Sequence, residues 1–169
     1  MQQLTTKNKC NYFVLSVSSG RKSLFVDNDD YNHFLDGVNN TFNDFDKASV
    51  AAYCLRRTSI EILYLLNSGV DLNEEINRLF SDYKNYFYKK HHLGLSRFIA
   101  KLDNKRVKES ELVAVSKKIH TNPKKWCHYE KSSIMAYLYG DEQIEIDKSS
   151  ISSRFLTAID YYNYLKQQP

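Results

Sequence analysis

The chain has 169 residues, a formal net charge of +4 and a pI near 8.8. Its 42% hydrophobic and 26% charged residues are normal for one globular domain and exclude an intrinsically disordered chain. The mildly basic balance is compatible with a nucleic-acid partner. The 14% aromatic content suits a binding surface, although an A/T-rich genome produces the same bias.

The first predicted elements are a strand, a helix and a hairpin. A β-branched and aromatic run predicts a strand over residues 12–18. Apolar residues at helical spacing predict a helix from Asp29 to Phe42. The sequence then predicts two short strands, over Ala48–Arg56 and residues 58–66, which we expect to form an antiparallel hairpin.

The second half of the chain is predicted to be mostly helical. An amphipathic stripe with an acidic start predicts a helix over residues 71–90. Further on we expect a strand over residues 97–102, helices over 108–120, 132–139 and 153–166, and an acidic linker over 141–150. This order predicts an α+β fold, with an antiparallel sheet of four to five strands, helices on one face and an extra C-terminal helix.

The cysteine content and the lack of long hydrophobic runs indicate in which cellular compartment the protein is expected. Cys10, Cys54 and Cys127 are isolated and odd in number, so neither a disulfide framework nor a zinc site is predicted. The N-terminus lacks the apolar core of a signal peptide, and no apolar run reaches the length of a membrane span. We therefore expect a cytoplasmic protein with no membrane partner.

Five segments, taken together and in order, resemble one protein family. They are residues 52–55 (AYCL), 83–90 (YKNYFYKK), 97–101 (RFIAK), 119–123 (IHTNP) and 132–138 (SSIMAYL). They resemble the motifs AYCLMPNHVHLL, YxxYFNRR, GRFKAK, YIHLNP and SSYRAYLG of the REP-associated tyrosine transposases, which are single-tyrosine HUH enzymes. The spacing also agrees, and the resemblance runs from about residue 12 to residue 140.

The resemblance implies a fold, a domain division and a chemistry. It implies an IS200-like transposase fold of ferredoxin-like arrangement, with residues 1–140 as a DNA-binding domain. Residues 141–169 would be a linker and a C-terminal helix packed on the same domain. It also places Tyr83 at the position of the family's nucleophile, although a tyrosine on an apolar helical stripe is more often a core residue.

The departure from the family lies at its metal site. Two histidines that alternate on one strand share a face, and together they hold a divalent metal. The corresponding residues here are Ser59 and Glu61, and serine is a poor metal ligand. Without the metal, the transition state for phosphate cleavage loses its Lewis acid. We therefore predict no metal cofactor and a vestigial Tyr83.

The predicted function is DNA binding without cleavage, as in a domesticated, nucleoid-associated transcriptional regulator that recognises a hairpin or a duplex. Basic residues concentrate between positions 56 and 125 and are the expected DNA contacts. The predicted contacts are Arg56, Arg57, Lys89, Lys90, Arg97, Lys101, Lys105 and Arg106.

Three further possibilities stay open. An active nickase would use Tyr83 with Mg²⁺ or Mn²⁺ held by Glu61 and another group. An RNA- or protein-binding module would keep only the fold. A homodimer is also possible.

Overall fold

The computed structural model describes residues 11–43, 47–93 and 102–167. It contains a four-stranded sheet built from β1 (Asn11–Ser18), β2 (Ala48–Arg56), β3 (Ser59–Leu66) and β4 (Asp103–Val107). The helices are α1 (Asn28–Phe42), α2 (Asn73–His91), α3 (Leu112–Thr121), α4 (Ile134–Tyr139), α5 (Ser149–Ser152) and α6 (Ala158–Lys166).

The sheet has the order β2-β3-β1-β4, and all neighbouring strands are antiparallel. β2 and β3 form the predicted hairpin around the turn Arg57-Thr58, which places Arg56 opposite Ser59. Strand β1 lies between β3 and β4, with Ser16 opposite Glu61. The order β1-α1-β2-β3-α2-β4 with this strand arrangement is ferredoxin-like. The predicted α+β fold is therefore confirmed.

Helices cover both faces of the sheet, so the expectation of a single helical layer is wrong. On one face, Phe42 of α1 packs against Tyr64 with ring centroids 4.7 Å apart, and α2 packs against α1. On the other face, α3 lies over β2 and β3, and Asn122 at its end reaches Glu61. The cause is visible in β2 and β3, whose nearly continuous apolar runs require cover on both sides.

The observed ends of some helices and strands differ from the predicted ones. Residues 97–101 of the predicted strand lie outside the described residues, and the strand that follows them is β4. Helix α3 begins at Leu112, after a short 3₁₀ turn over Glu109–Glu111. Helix α6 begins at Ala158 rather than residue 153 because a capping box fixes its start. In that box the Thr157 hydroxyl accepts from the Asp160 N–H, and the Asp160 carboxylate accepts from the Thr157 N–H.

The C-terminal segment packs against the rest of the molecule. Ile144, Ile146 and Ile151 are buried, and the Asp147 N–H donates to the Val50 carbonyl on the outer edge of β2 at 2.8 Å. Tyr161 of α6 is also buried. None of the described helices combines the length and the apolar character that a membrane crossing requires.

Candidate nucleic-acid interface

Ser59 and Glu61 lie on the same face of β3, as their spacing predicts, and this face is the one that α3 covers. The Ser59 hydroxyl accepts a hydrogen bond from Arg56 Nε at 2.9 Å. The Glu61 carboxylate accepts one from Asn122 Nδ2 at 2.5 Å. Within the described part of the chain, no histidine stands beside them in a metal-binding group.

Tyr83 lies on the opposite side of the sheet, in the aromatic layer between α1 and α2. Its ring packs on Phe34 with centroids 5.1 Å apart and on Phe25 with centroids 5.6 Å apart. Its hydroxyl donates to the Leu24 carbonyl at 2.7 Å. Burial raises the pKa of this phenol far above its ordinary value. The structure therefore does not bring Tyr83 to Ser59 and Glu61.

Several polar residues meet at the end of the molecule that holds the β2–β3 turn; we call this region the turn end. It comprises Arg56, Arg57, Tyr31, Tyr129 and Lys131. Arg57 is exposed, its carbonyl accepts from the Leu24 N–H at 2.7 Å, and its Nε donates to Ser23 Oγ. The Lys131 carbonyl accepts from the Leu55 N–H at 2.8 Å, which ties residue 131 to the end of β2.

Two tyrosine rings, Tyr31 and Tyr129, lie beside the cations of the turn end. The Lys131 ammonium lies 5.6 Å from the centre of the Tyr31 ring, within the range of a cation–π contact. Tyr31 stacks on Phe25 at 4.3 Å, and the Tyr129 hydroxyl donates to the Leu55 carbonyl at 2.8 Å. Burial raises the pKa of both tyrosines, so they stay neutral near pH 7. Cations interleaved with aromatic rings can bind phosphates and stack on bases.

Lys90, in the basic last turn of α2, already has acidic partners within this structure. The Lys90 ammonium lies 2.6 Å from Asp27 and 3.2 Å from Asp30, and His91 Nε2 lies 3.0 Å from Asp30. Burial alone would raise the pKa of Asp30, but hydrogen bonds from His91, the Val26 N–H and Lys90 outweigh it and lower that pKa. Both lysines are exposed, but Lys90 is paired with these carboxylates, whereas Lys89 makes no ion pair with the described residues.

The same cluster is a grouping that sequence reasoning did not find. Asp27, Asp30 and His91 bring three ligand-type atoms within 4.8 Å of one another. These residues are far apart in sequence and meet because the start of α1 lies against the end of α2. The charge they attract in this structure is the ammonium of Lys90.

Of the remaining predicted contacts, Lys105 and Arg106 lie on β4. Lys105 pairs with Asp103 at 2.8 Å, and Arg106 donates to Asn11. Their side chains alternate, so Lys105 shares the face of Val14 and Arg106 the face of Phe13. Arg97 and Lys101 lie outside the described residues.

A groove of about 320 Å³ runs between β1, β4 and α3. Its lining includes Val14, Glu61, Lys105, Val115 and Lys118. Asn122 was missed as a site residue because nothing in the sequence places the end of α3 over β3. Lys131 was missed for a similar reason: only the pairing of residues 131–133 with β2 brings it to the turn end.

Comparison with known proteins shows a similar fold in a solved structure and no similarity to a protein-family model or a curated protein. No protein-family model matches the chain, and no curated protein matches it. Among solved structures, it is similar to a REP-associated tyrosine transposase bound to a REP hairpin, with a TM-score of 0.58 and 10% identity. The similarity covers 88% of this chain and 94% of the other. The fold is transposase-like.

Proposed function

We propose that the protein binds DNA, with a hairpin stem as the preferred form, and regulates transcription without cutting the strand. The observation that carries the proposal is the separation of the two halves of the predicted catalytic site. Ser59 and Glu61 face α3, whereas Tyr83 is buried beyond the sheet in the α1–α2 layer.

This separation opposes strand cleavage by Tyr83. A phosphate bound beside Glu61 would be on the wrong side of the sheet from the Tyr83 hydroxyl, and a nucleophile must lie within about 3–3.5 Å of the atom it attacks. The raised pKa of the Tyr83 phenol also opposes formation of a phenolate. A nickase that joins Tyr83 to a metal at Glu61 would therefore need a different packing of α2.

The turn end supports binding. Arg56, Arg57 and Lys131 place three cations around one strand turn, beside Tyr31 and Tyr129. Phosphate contacts of this kind fix the register of a protein on DNA and make its affinity depend on salt. The similar solved structure contains a DNA hairpin, which favours a hairpin as the first ligand to test here.

A binding assay with a set of DNA hairpins and matched duplexes tests the proposal. The double variant Arg56→Gln, Arg57→Gln should weaken binding and make the negative slope of log K against log salt shallower by about 2, since each phosphate contact contributes roughly 0.9 to its magnitude. Arg78→Gln, on the exposed side of α2, is the control and should leave binding and slope unchanged.

Cleavage is tested in the same samples with Mg²⁺ or Mn²⁺ added. We expect no covalent protein–DNA adduct, and Tyr83→Phe should bind as the wild type does. A metal-dependent adduct that disappears in Tyr83→Phe would restore the nickase. Binding to RNA but not to DNA would favour the alternative of an RNA-binding module.

A further inference from the structure

We propose that a cleft between α4 and α6 docks an acidic amphipathic helix of a partner protein. The cleft is lined by Leu138, Tyr139, Ala158, Ile159 and Tyr162. Its volume of about 210 Å³ accommodates side chains of a partner helix but not the helix itself. None of the lining residues is among the proposed DNA contacts, so the cleft gives the protein a second binding surface.

The side chains around the cleft are apolar and open to solvent. Ile159 is 69% exposed and Tyr139 is 55% exposed. Leu156, which lines a neighbouring depression together with Ala158, is 97% exposed. Single apolar side chains on a surface are ordinary, but a contiguous group of them beside a cleft marks an interaction site.

The cleft is built on elements that are held in place from the other side. Tyr161 and Leu165 of α6 are buried, and α4 packs against α6. Because these elements are already ordered, docking fixes few additional side chains, which lowers the entropic cost of binding. Hydrophobic grooves of this kind are a recurrent docking site for amphipathic helices.

The borders of the cleft carry a surplus of positive charge. The Lys166 ammonium lies 4.6 Å from the centre of the Tyr162 ring. Lys124 and Lys125 are exposed and directly precede Trp126, whose ring lies 5.6 Å from that of Tyr162. Exposed cations beside an apolar cleft favour a partner that combines carboxylates with apolar residues.

The acidic side chain of α6 offsets these cations only in part. Residues 124–128 and helix α6 together carry three lysines and one aspartate, Asp160. The Asp160 carboxylate accepts hydrogen bonds from the N–H and the hydroxyl of Thr157. It therefore serves the start of its own helix, and the lysines are left to a partner.

The charge and the apolar lining separate the possible occupants. A second copy of the chain would bring the same lysines to a two-fold interface, where like charges oppose each other. DNA phosphates would match the lysines, but phosphate contacts leave apolar residues such as Leu156 and Ile159 without a partner. An acidic amphipathic helix places apolar residues in the cleft and carboxylates beside the lysines.

The single tryptophan of the chain provides the assay. Trp126 contacts Tyr162 at the cleft, so its fluorescence should report docking. Two synthetic helical peptides without aromatic residues share one leucine stripe and carry either glutamates or lysines on the opposite face. The glutamate peptide should shift the Trp126 emission saturably and bind about tenfold more tightly than the lysine peptide, since three exposed charge pairs are together worth about a factor of ten. High salt should reduce this difference.

Matched variants locate the binding surface. Ile159→Ser should weaken binding of the glutamate peptide about tenfold, because most of this side chain is exposed and becomes buried on docking. Lys166→Gln should narrow the difference between the two peptides. Val26→Ser is the control, since Val26 is 54% exposed and does not line the cleft, and it should bind both peptides as the wild type does.

Each remaining outcome gives a different answer. No emission change with either peptide, equal affinity for the two peptides, or unchanged affinity in Ile159→Ser would overturn the proposal. A dimer in sedimentation velocity that Ile159→Ser dissociates would assign the cleft to a second copy. A Trp126 emission shift caused by a DNA hairpin and lost in Ile159→Ser would assign it to nucleic acid. Failure of the protein to bind any hairpin would remove the proposed function and leave the peptide result standing.

Discussion

Replacing Tyr161 by phenylalanine should test how the C-terminal helix is anchored. The Tyr161 hydroxyl lies 2.7 Å from Ser116 Oγ and 2.7 Å from His120 Nδ1. Ser116 and His120 are completely buried, and Tyr161 is 2% exposed. His120 Nε2 bonds to Ser133 Oγ at 2.8 Å, which continues the network toward β2.

The expected cost follows from which atoms lose their partners. In Tyr161→Phe, Ser116 Oγ keeps a second hydrogen bond, to the Val113 carbonyl at 3.3 Å, whereas His120 Nδ1 keeps none. The variant therefore leaves His120 Nδ1 unsatisfied and Ser116 Oγ with one weaker hydrogen bond. Since an unsatisfied buried group costs about 1–3 kcal/mol, the free energy of unfolding should fall by about 2 kcal/mol.

Urea unfolding followed by circular dichroism measures the effect. The midpoint should fall while the m-value stays constant. Tyr164→Phe in the same helix is the control, because its hydroxyl has no hydrogen bond to the described residues, and it should change stability by less than about 0.5 kcal/mol. If Tyr161→Phe unfolds at the wild-type midpoint, the hydroxyl does not bridge Ser116 and His120.

Three further predictions concern buried groups. Burial lowers the pKa of His120 to about 3, below its usual 6.5, so the unfolded chain takes up the proton first and stability falls as the pH drops below 6.5. The free energy of unfolding should fall by about 1.4 kcal/mol per pH unit, or roughly 2 kcal/mol at pH 5. Urea titrations at several pH values should show this dependence on pH, and His120→Gln should make it weaker. Asp30→Asn should cost about 2 kcal/mol, because the buried carboxylate loses its ion pair with Lys90 and its hydrogen bond with His91. Asp29→Asn is the control, since Asp29 is exposed and lies 3.5 Å from the same ammonium, and equal urea midpoints for the two variants would contradict the role given to Asp30. Burial raises the pKa of the Cys54 thiol to about 12, so iodoacetamide at pH 8 should modify Cys127 and spare Cys54 until urea is added; peptide mass spectrometry in a Cys10→Ser background measures this, and equal labelling of both thiols in native protein would show that Cys54 is accessible.

The sequence was sufficient to predict β1, β2 and β3 because their short runs of apolar residues are typical of strands. It did not predict β4, where Asp103, Asn104, Lys105 and Arg106 are all exposed and only Val107 is buried. An edge strand of this kind has no apolar alternation to detect. Its charged residues suit an edge that must not pair with other chains.

The site was predictable only in part. The alternation of β3 correctly places Ser59 and Glu61 on one face. The stripe on α2 correctly predicts that Tyr83 is buried, but a stripe shows which side of a helix packs and not which face of the sheet it covers. The positions of Asn122, Lys118 and Lys131 depend on contacts between segments about 60 to 75 residues apart, which no local pattern encodes.

The alternation of side chains along β3 also bears on how such a protein can diverge. Ile60, Ile62 and Tyr64 point into the aromatic layer, whereas Ser59 and Glu61 point to the groove. Substitutions on the two sides share few contacts, so their effects on folding should be close to additive. A lineage can therefore exchange the chemistry of the groove, one residue at a time, while the packing that maintains the scaffold stays unchanged.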